Sequence, residues 1–302
     1  MNEKHNKRLM HLVRCVHGLI EYDDIQKQRT SQDQLAALLA NNKKYRFISL
    51  NVNGMYCEWT ECIQNETLQT NNKPLIIFYC HGGGYMTGSC LYAREITSKL
   101  SESNHCNVFC FNYRLAPENP YPAALNDALI AWNYILSCGY TSNQIIIAGD
   151  SAGGNLALSL TLRLKEKNKD LPKGIVLFSP WTDMTSSGPS YHAKELLDPV
   201  LTNAYIQKAI SCYLNNTSAK DPFVSPLFSN MANFPPVYIQ VGDNEILFDD
   251  SCALYANLLK YDVYAKLDVF PGMWHVFQLS PIKTARNAMK KVHDFICDLN
   301  TI

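Results

Sequence analysis

The sequence has no excess charge of either sign and no long hydrophobic run. Among its 302 residues, 27 Lys and Arg balance 27 Asp and Glu, so no basic field is available to attract a nucleic acid. Apolar runs such as Leu75–Cys80 are short, whereas a membrane span needs roughly 18 residues. Apolar residues still make up 47% of the chain, which is enough for a large core. We therefore expect a globular protein with no nucleic-acid partner and no membrane span.

The sequence also lacks the cysteine spacing of metal sites. Its 11 cysteines are spread from Cys15 to Cys297, and none forms a C-x-x-C pair. We expect reduced thiols that act as small apolar side chains, and no bound metal. The one stretch that could resemble a secretory signal, Leu9–Ile20, is interrupted by two histidines and an arginine. The expected location is therefore cytoplasmic.

No internal repeat is present, and short apolar runs alternate with helix-length segments from about residue 74 onward. Such runs are typical of strands buried on both faces of a mainly parallel sheet. They are Leu75–Cys80, Val108–Tyr113, Gln144–Ala148, Gly174–Ser179, Val237–Val241 and Val263–Phe270. Helices are expected over roughly 91–104, 121–138, 152–167, 246–260 and 281–299. The Asn53-Gly54 dipeptide predicts a hairpin within 45–62, ahead of a doubly wound α/β sheet.

Two segments depart from this alternation. The first 45 residues are polar and helix-like, and Ser31 with Gln34 is expected to form a capping box at a helix start. About 55 residues separate Ser179 from the next strand, with helix-like stretches near 188–196 and 202–214. An insertion this long that has its own helices usually forms a lid or a binding element.

Ser151 lies in the motif Gly149-Asp150-Ser151-Ala152-Gly153, between a predicted strand and a predicted helix. This G-x-S-x-G pattern is typical of a sharp strand-to-helix turn, where the serine is strained and the flanking glycines avoid clashes. The turn exposes the serine oxygen at a helix N-terminus. Ser151 is therefore the candidate nucleophile, with Asp150 as a supporting residue of the motif.

His81, Gly82, Gly83 and Gly84 directly follow the first of the buried strands. Each glycine would cost about 0.5–1 kcal/mol against alanine in a helix or strand. A backbone that must approach a ligand closely explains three in a row. The N–H groups of Gly83 and Gly84, with that of Ala152, would form an oxyanion hole for a tetrahedral intermediate. His81 is expected to orient this loop, with Gly82 supporting it.

His275 is the candidate base, because it follows the last predicted strand and comes after both the serine and the acid candidates. The acid should lie just after the preceding strand, which is followed by Asp243, Glu245, Asp249 and Asp250. The last two suit the first turn of a helix. Spacing alone leaves Asp243 and Glu245 as nearly equal candidates.

Taken together, these motifs resemble the hormone-sensitive-lipase family of α/β-hydrolases, in particular its bacterial esterase branch. The likeness covers most of the chain from about residue 74. Besides the histidine–glycine loop, the serine motif and the segment that ends at His275, it rests on the following motifs: Tyr113-Arg114-Leu115-Ala116-Pro117-Glu118, Tyr121-Pro122-Ala123-Ala124, Ser179-Pro180-Trp181-Thr182-Asp183, Asp221-Pro222 and Ser225-Pro226-Leu227.

The resemblance implies an α/β-hydrolase fold, with a mainly parallel eight-stranded sheet flanked by helices. It implies one catalytic domain over 1–302 and a helical cap built from approximately 1–45 and 183–219. Arg114 and Glu118 are available to pair within their motif. The family also implies a homodimer formed through late strands and helices.

The resemblance also assigns roles to the candidate residues. It implies Ser151 as nucleophile, and Gly83, Gly84 and Ala152 as oxyanion donors. Glu245 stands at the family's acid position, ahead of Ile246-Leu247-Phe248-Asp249-Asp250. Many members carry Asp at this position, and one branch carries Glu.

The implied activity is that of a serine carboxylesterase with a Ser-His-Glu triad, acting on small esters with short to medium acyl chains and needing no metal or organic cofactor. An amidase, deacetylase or lactonase that uses the same triad is the alternative. Non-catalytic ligand receptors that look like this family lack the catalytic histidine, whereas His275 is present. An interfacial lipase is not favoured, since the predicted cap segments have no strongly apolar face.

Overall fold

The computed structural model describes residues 3–20, 24–39, 44–63 and 75–300, in which strands and helices alternate. The strands are β1 (Tyr45–Val52), β2 (Met55–Cys62), β3 (Ile76–Cys80), β4 (Val108–Phe111), β5 (Ile145–Asp150), β6 (Gly174–Phe178), β7 (Val237–Gly242) and β8 (Ala265–Phe270). The helices are α1 (Glu3–Ile20), α2 (Ile25–Leu39), α3 (Cys90–Asn104), α4 (Ala123–Ser137), α5 (Ala152–Glu166), α6 (Ser190–Ala193), α7 (Asn203–Leu214), α8 (Phe248–Lys260) and α9 (Lys283–Asp298).

The strands form one sheet of eight, in the order β1-β2-β4-β3-β5-β6-β7-β8. Strands β3 to β8 run parallel to one another. Strands β1 and β2 form an antiparallel hairpin, and β2 pairs antiparallel with β4. Asn53 and Gly54 form the hairpin turn, as predicted, and both have positive φ angles. The predicted α/β class and the mainly parallel eight-stranded sheet are confirmed.

The core lies on both faces of this sheet because successive strand residues point to opposite sides. On β3, Ile76 and Phe78 pack toward α4, α5 and α8, whereas Ile77 and Tyr79 pack toward α3 and α9. The central strands are therefore buried on both faces. Cys80 and Cys110 are buried in the sheet, as expected of cysteines that serve as small apolar side chains.

Three expectations were wrong in detail. Strand β8 is not buried on both faces, because it is the sheet edge, and Val269 on it is 41% exposed. Ser31 does not start a helix, since α2 begins at Ile25 and the Asp24 carboxylate accepts the N–H groups of the first turn. An N-cap is fixed by the first free N–H groups of the helix, and Ser31 lies too far along it.

Arg114 and Glu118 do not pair with each other, contrary to expectation. Arg114 binds the carboxylate of Asp127 on α4 at 2.8 Å. Glu118 binds Arg29 on α2, also at 2.8 Å. The two side chains thus join their loop to different helices.

Helix α1 contacts the insertion that follows β6, and helix α2 contacts the loops after β3 and β4. Arg14 on α1 donates to the carbonyls of Leu196 and Asp198 at 3.0 and 3.3 Å. Arg29 on α2 donates to the carbonyls of Met86 and Ala116. Residues 1–2, 21–23 and 40–43 of the expected cap segment 1–45 lie outside the described residues. No helix in the described ranges is both long enough and apolar enough to cross a bilayer.

Candidate active site

Ser151 lies at the turn between β5 and α5 with a strained backbone, at φ +53° and ψ −120°. The turn needs its glycines because three backbone segments meet there. A Cβ atom on Gly149 would lie 2.4 Å from the carbonyl oxygen of Gly153, and one on Gly153 would lie 2.0 Å from that of Cys80. The close packing explains the G-x-S-x-G spacing, and it leaves the N–H of Ala152 as the first of helix α5, without a helical partner.

The loop after β3 also depends on glycine. Gly83 has a φ angle of +109°, and a Cβ atom there would lie 2.2 Å from the carbonyl oxygen of Thr87. Gly84 has a φ of +61°, and the hydroxyl of Tyr205 would lie 2.8 Å from an added Cβ. The backbone therefore turns tightly beneath Tyr205, a residue of α7 that the sequence did not identify.

Asp150, the residue before the serine, holds the glycine loop in place. Its Oδ1 atom accepts the hydroxyl of Tyr79 at 2.6 Å and the N–H of Gly82 at 2.9 Å, while Oδ2 accepts the hydroxyl of Tyr92 at 3.2 Å. Burial raises the pKa of Asp150, and these hydrogen bonds work in the opposite direction. The carboxyl group thus connects the serine turn to the glycine loop.

His81 is fully buried and stacks on Tyr113, with the ring centroids 4.1 Å apart. Burial lowers its pKa to about 4, so the ring is neutral near pH 7. The neutral ring donates from Nδ1 to the carbonyl of Gly82 at 2.8 Å. Tyr113 in turn donates its hydroxyl to the carbonyl of His81. This is the geometry of a loop-orienting residue.

The structure brings His275 and Glu245 together in a buried pair. Nδ1 of His275 lies 2.9 Å from Oε2 of Glu245, and the two residues are 5% and 0% exposed. Burial lowers the pKa of His275, but the hydrogen bond and charge of Glu245, together with the charges of Asp198 and Asp150, outweigh burial and raise it above its usual value. The arrangement suits a base whose protonated form is stabilised by a carboxylate.

Asp243, the other acid candidate, points elsewhere. Its Oδ1 atom accepts the N–H of Gly272 at 2.6 Å, which fixes the turn after β8. Of the two candidates that spacing left level, the structure therefore brings Glu245 to the histidine. Asp250 is buried and binds the N–H groups of Thr182 and Asp183.

Ser179 holds Glu245 from the other side, a contact that the sequence did not predict. Its hydroxyl donates to Oε1 of Glu245 at 2.9 Å and accepts the N–H of Val276 at 3.1 Å. Oε1 also accepts the N–H of Gly242. Ser179 directly follows β6, at the same end of the sheet as the serine turn, so the strand-end rule that pointed to Ser151 could have indicated it.

Asp198, from the insertion, is a further buried carboxylate that the sequence did not identify. It accepts the N–H groups of Val200 and Leu201 with Oδ1, and the N–H of Ile246, next to Glu245, with Oδ2. Burial raises its pKa to about 6. The hydrogen bond to Ile246 links the insertion to the loop that carries Glu245.

Ser151 and His275 line one small cavity of about 60 Å³ at the carboxyl ends of the strands. Its other walls come from the glycine loop, helices α1, α2 and α3, and the insertion: Gly83, Gly84, Thr87, Tyr92, His17, Gln28, Gln32, Val200, Leu201 and Tyr205. Within the described part of the chain, no group of three or more His, Cys, Asp or Glu side chains could hold a metal ion. The cavity brings together a strained serine, a glycine loop and a histidine whose Nδ1 is held by a buried carboxylate, which suits attack on an acyl carbon.

A family model described as an α/β-hydrolase fold matches residues 77–279. The chain belongs to the hormone-sensitive-lipase family of α/β-hydrolases. Among solved structures, an esterase from the bacterial hormone-sensitive-lipase family superposes with a TM-score of 0.89 at 28% identity, covering 98% of each chain. An esterase/lipase from an uncultured bacterium also gives a TM-score of 0.89, at 29% identity over 98% of this chain and 99% of that one.

Relatives that this chain matches over two thirds or more of its length are named as ester hydrolases. An esterase of Acinetobacter venetianus is 32% identical over 89% of this chain and 87% of that protein. An acetyl-hydrolase of Streptomyces hygroscopicus is 34% identical over 67% of each. The chain is a carboxylic ester hydrolase, as its motifs indicated.

Proposed function

We propose that the chain is a serine carboxylesterase in which Ser151 is the nucleophile, His275 the general base and Glu245 the acid that orients it. The observation that carries this proposal is the buried hydrogen bond of 2.9 Å between His275 and Glu245, since His275 lines the same small cavity as Ser151. Glu245 occupies Nδ1 of the histidine, so Nε2 is the nitrogen that exchanges protons with substrate and serine.

In the acylation step, Nε2 of His275 takes the hydroxyl proton of Ser151 while the serine oxygen attacks the ester carbonyl carbon. The electron pair of the carbonyl moves to its oxygen, which accepts hydrogen bonds from the N–H groups of Gly83, Gly84 and Ala152. The bond from carbon to the alcohol oxygen then breaks, and His275 returns the proton to that oxygen. An acyl-serine and a free alcohol result.

Deacylation repeats these steps with water as nucleophile. His275 takes one proton from water as its oxygen attacks the acyl carbon, and the same three N–H groups stabilise the oxyanion. The bond to the serine oxygen breaks, the proton returns to Ser151, and the carboxylic acid leaves. Glu245 stabilises the histidine cation in both halves of the cycle.

The small cavity supports esters with short to medium acyl chains. Its volume of about 60 Å³ is far below the roughly 300–1,000 Å³ of sites that hold drug-sized ligands. The helices near the N-terminus and the insertion line it, and we propose that segments 1–45 and 183–219 form a cap over a single catalytic domain, 1–302. The hydrogen bonds from Arg14 to the insertion support this arrangement.

For the assembly and compartment, we propose a cytoplasmic homodimer. Strand β8 is an exposed sheet edge, which is a common place for two copies to pair. The cysteines are all free, as a reducing compartment would keep them. The balanced charge favours no nucleic-acid partner. Light scattering on the purified protein measures the assembly directly.

The experiment that tests the mechanism combines three variants with nitrophenyl esters from acetate to palmitate. Ser151→Ala should show only background turnover. Glu245→Gln should lose on the order of 10⁴ in kcat, as for the orienting acid of a serine protease. Asp243→Asn is the matched control, because its amide oxygen can still accept the Gly272 N–H, and it should retain wild-type activity. Full activity in Ser151→Ala, or loss in Asp243→Asn with retention in Glu245→Gln, would refute the assignment.

A further inference from the structure

A second cavity, of about 280 Å³, adjoins the small cavity that contains Ser151. Five residues line both: His17, Gln32, Tyr92, Val200 and His275. Ser151 and the glycines of the loop after β3 line only the small cavity, whereas Trp274 and Val276, the neighbours of His275, line only the large one. The large cavity thus lies on the histidine side of the shared wall.

The chemistry of the proposed mechanism decides which part of an ester belongs there. The acyl carbon must bond to the serine oxygen, and its carbonyl oxygen must reach the N–H groups of Gly83, Gly84 and Ala152. The leaving oxygen must instead lie within reach of Nε2 of His275, which gives it a proton. Resting on the proposed esterase function, we infer that the large cavity binds the alcohol part of the substrate.

The charged groups around the large cavity already have partners. Arg94 donates to both carboxylate oxygens of Glu58, at 2.9 and 2.6 Å, and lies 4.4 Å from the ring of Phe47. Glu95 pairs with Lys99 at 2.9 Å. Most of the other walls are apolar, namely Val13, Leu35, Ala36, Leu91, Val200, Trp274 and Leu279. A charged alcohol would be desolvated against these side chains, so the cavity favours a neutral and mainly apolar one.

Gln32 supplies a polar group at the wall that the two cavities share. Its Oε1 atom is buried and makes no hydrogen bond within the described residues. Buried acceptors are nearly always paired in folded proteins, so an unpaired one at a cavity wall suits a donor on the ligand. The alcohol that fits this site is a bulky apolar group with room for one donor close to its ester oxygen.

The test varies the alcohol and the acyl group of the ester one at a time, with three substrates: ethyl acetate, 2-(1-naphthyl)ethyl acetate and ethyl hexanoate. Both alcohols are primary, so their intrinsic reactivities are similar. The wild-type protein should hydrolyse the naphthylethyl ester with a kcat/KM about tenfold or more above that of ethyl acetate, because the ring system is buried on binding. Free 2-(1-naphthyl)ethanol should inhibit ethyl acetate hydrolysis competitively.

Ala36→Trp fills the large cavity from α2, and Ser98→Leu fills it from α3, so one variant backs up the other if folding fails. In each variant, kcat/KM for the naphthylethyl ester should fall close to that for ethyl acetate. The ratio of kcat/KM for ethyl hexanoate to that for ethyl acetate should stay unchanged. Leu201→Phe is the matched control, because Leu201 lines the small cavity and not the large one. This variant should lower only the ratio of kcat/KM for ethyl hexanoate to that for ethyl acetate.

In the opposite pattern, Ala36→Trp or Ser98→Leu would lower kcat/KM for ethyl hexanoate relative to ethyl acetate. That result would show that the large cavity holds the acyl chain, and it would overturn the inference. A wild-type protein without preference for the naphthylethyl ester, or without inhibition by the free alcohol, would overturn it as well. Absence of hydrolysis of all three esters would refute the proposed function itself, and the inference with it. These results are distinguishable from one another.

Discussion

Removing the hydroxyl of Ser179 tests how Glu245, the proposed catalytic acid, is held. This hydroxyl is the bridge between the two halves of the histidine–acid pair: it donates to Glu245 at 2.9 Å and accepts the N–H of Val276, the residue after His275, at 3.1 Å. In Ser179→Ala, Oε1 of Glu245 retains only the N–H of Gly242. The carboxylate then keeps its charge but loses part of the hydrogen bonding that orients it.

The expected size follows from the number of hydrogen bonds lost. A hydrogen bond to a charged group contributes about 1.5–3 kcal/mol, and each 1.36 kcal/mol corresponds to about tenfold in rate. We therefore expect kcat of Ser179→Ala to fall about 10- to 100-fold, far less than the loss of roughly 10⁴ expected for Glu245→Gln. The unpaired N–H of Val276 should lower the free energy of unfolding by about 1–3 kcal/mol.

Ser179→Gly provides a matched variant, because Ser179 has a φ angle of +49°. Both substitutions remove the hydroxyl, but glycine takes this conformation without the roughly 1–2 kcal/mol penalty that alanine pays. The two variants should lose kcat equally on a nitrophenyl acetate assay, while thermal unfolding shows the glycine variant to be the more stable. If kcat is higher in the more stable glycine variant than in the alanine variant, the loss of kcat reflects stability and not the missing hydroxyl. That result would contradict a positioning role.

A double-mutant cycle completes this test. If Ser179 acts on catalysis through Glu245, then Ser179→Ala should change kcat little in a Glu245→Gln background. The same fold loss in both backgrounds would mean that Ser179 acts independently of the acid, and the reasoning would be refuted.

Two further predictions concern pH and the serine turn. As the proposed base, His275 must be neutral, and because its pKa is raised, kcat/KM should fall as pH drops from a midpoint above 6.5. Asp198→Asn removes a charge that raises this pKa, so a pH–rate profile should show the midpoint moved to lower pH. An unmoved midpoint would argue against an effect of that charge. Gly153→Ala would place a Cβ 2.0 Å from the Cys80 carbonyl and should destabilise the fold by about 3 kcal/mol or more, whereas Gly18→Ala, at a helical position with nothing within 4 Å, should be neutral or stabilising in thermal unfolding.

Much of this architecture could be predicted because it depends on local patterns. A strand such as β3 consists only of apolar residues, and its neighbours in the sheet follow the same pattern, so their order along the chain indicated a parallel sheet. The serine turn was predictable for a related reason. A Cβ atom added at Gly149 or Gly153 would lie less than 3 Å from backbone atoms, so only glycine fits at these two positions of the motif.

The parts that could not be predicted depend on contacts between distant segments. Arg114 was expected to bind Glu118, four residues away, yet Asp127 on α4 offers two oxygens to its guanidinium. Spacing also could not choose between Asp243 and Glu245. That choice depends on where the turn after β8 lies, since its Gly272 N–H binds Asp243 and leaves Glu245 for the histidine.

The carboxylates around the site show a common physical principle. Asp150 binds the glycine loop through the Gly82 N–H, and Asp198 binds the loop that carries Glu245 through the Ile246 N–H. Asp250 binds the backbone N–H groups of the segment after β6. Each joins the loop at the end of one strand to a segment from elsewhere in the chain. A carboxylate suits this role because it only accepts hydrogen bonds when ionised, and loop N–H groups at the end of a sheet lack strand partners.

This mode of construction has an energetic cost that explains where the carboxylates are placed. Burial raises the pKa of Asp198 to about 6 and that of Asp250 to about 7, whereas the backbone N–H groups that each carboxylate accepts lower it and so favour the ionised form. An apolar side chain of similar size could fill the same space without that penalty, but it would leave the loop N–H groups unpaired. The buried carboxylates thus hold loops from different strand ends in one fixed geometry, which a reaction that depends on ångström-scale placement requires.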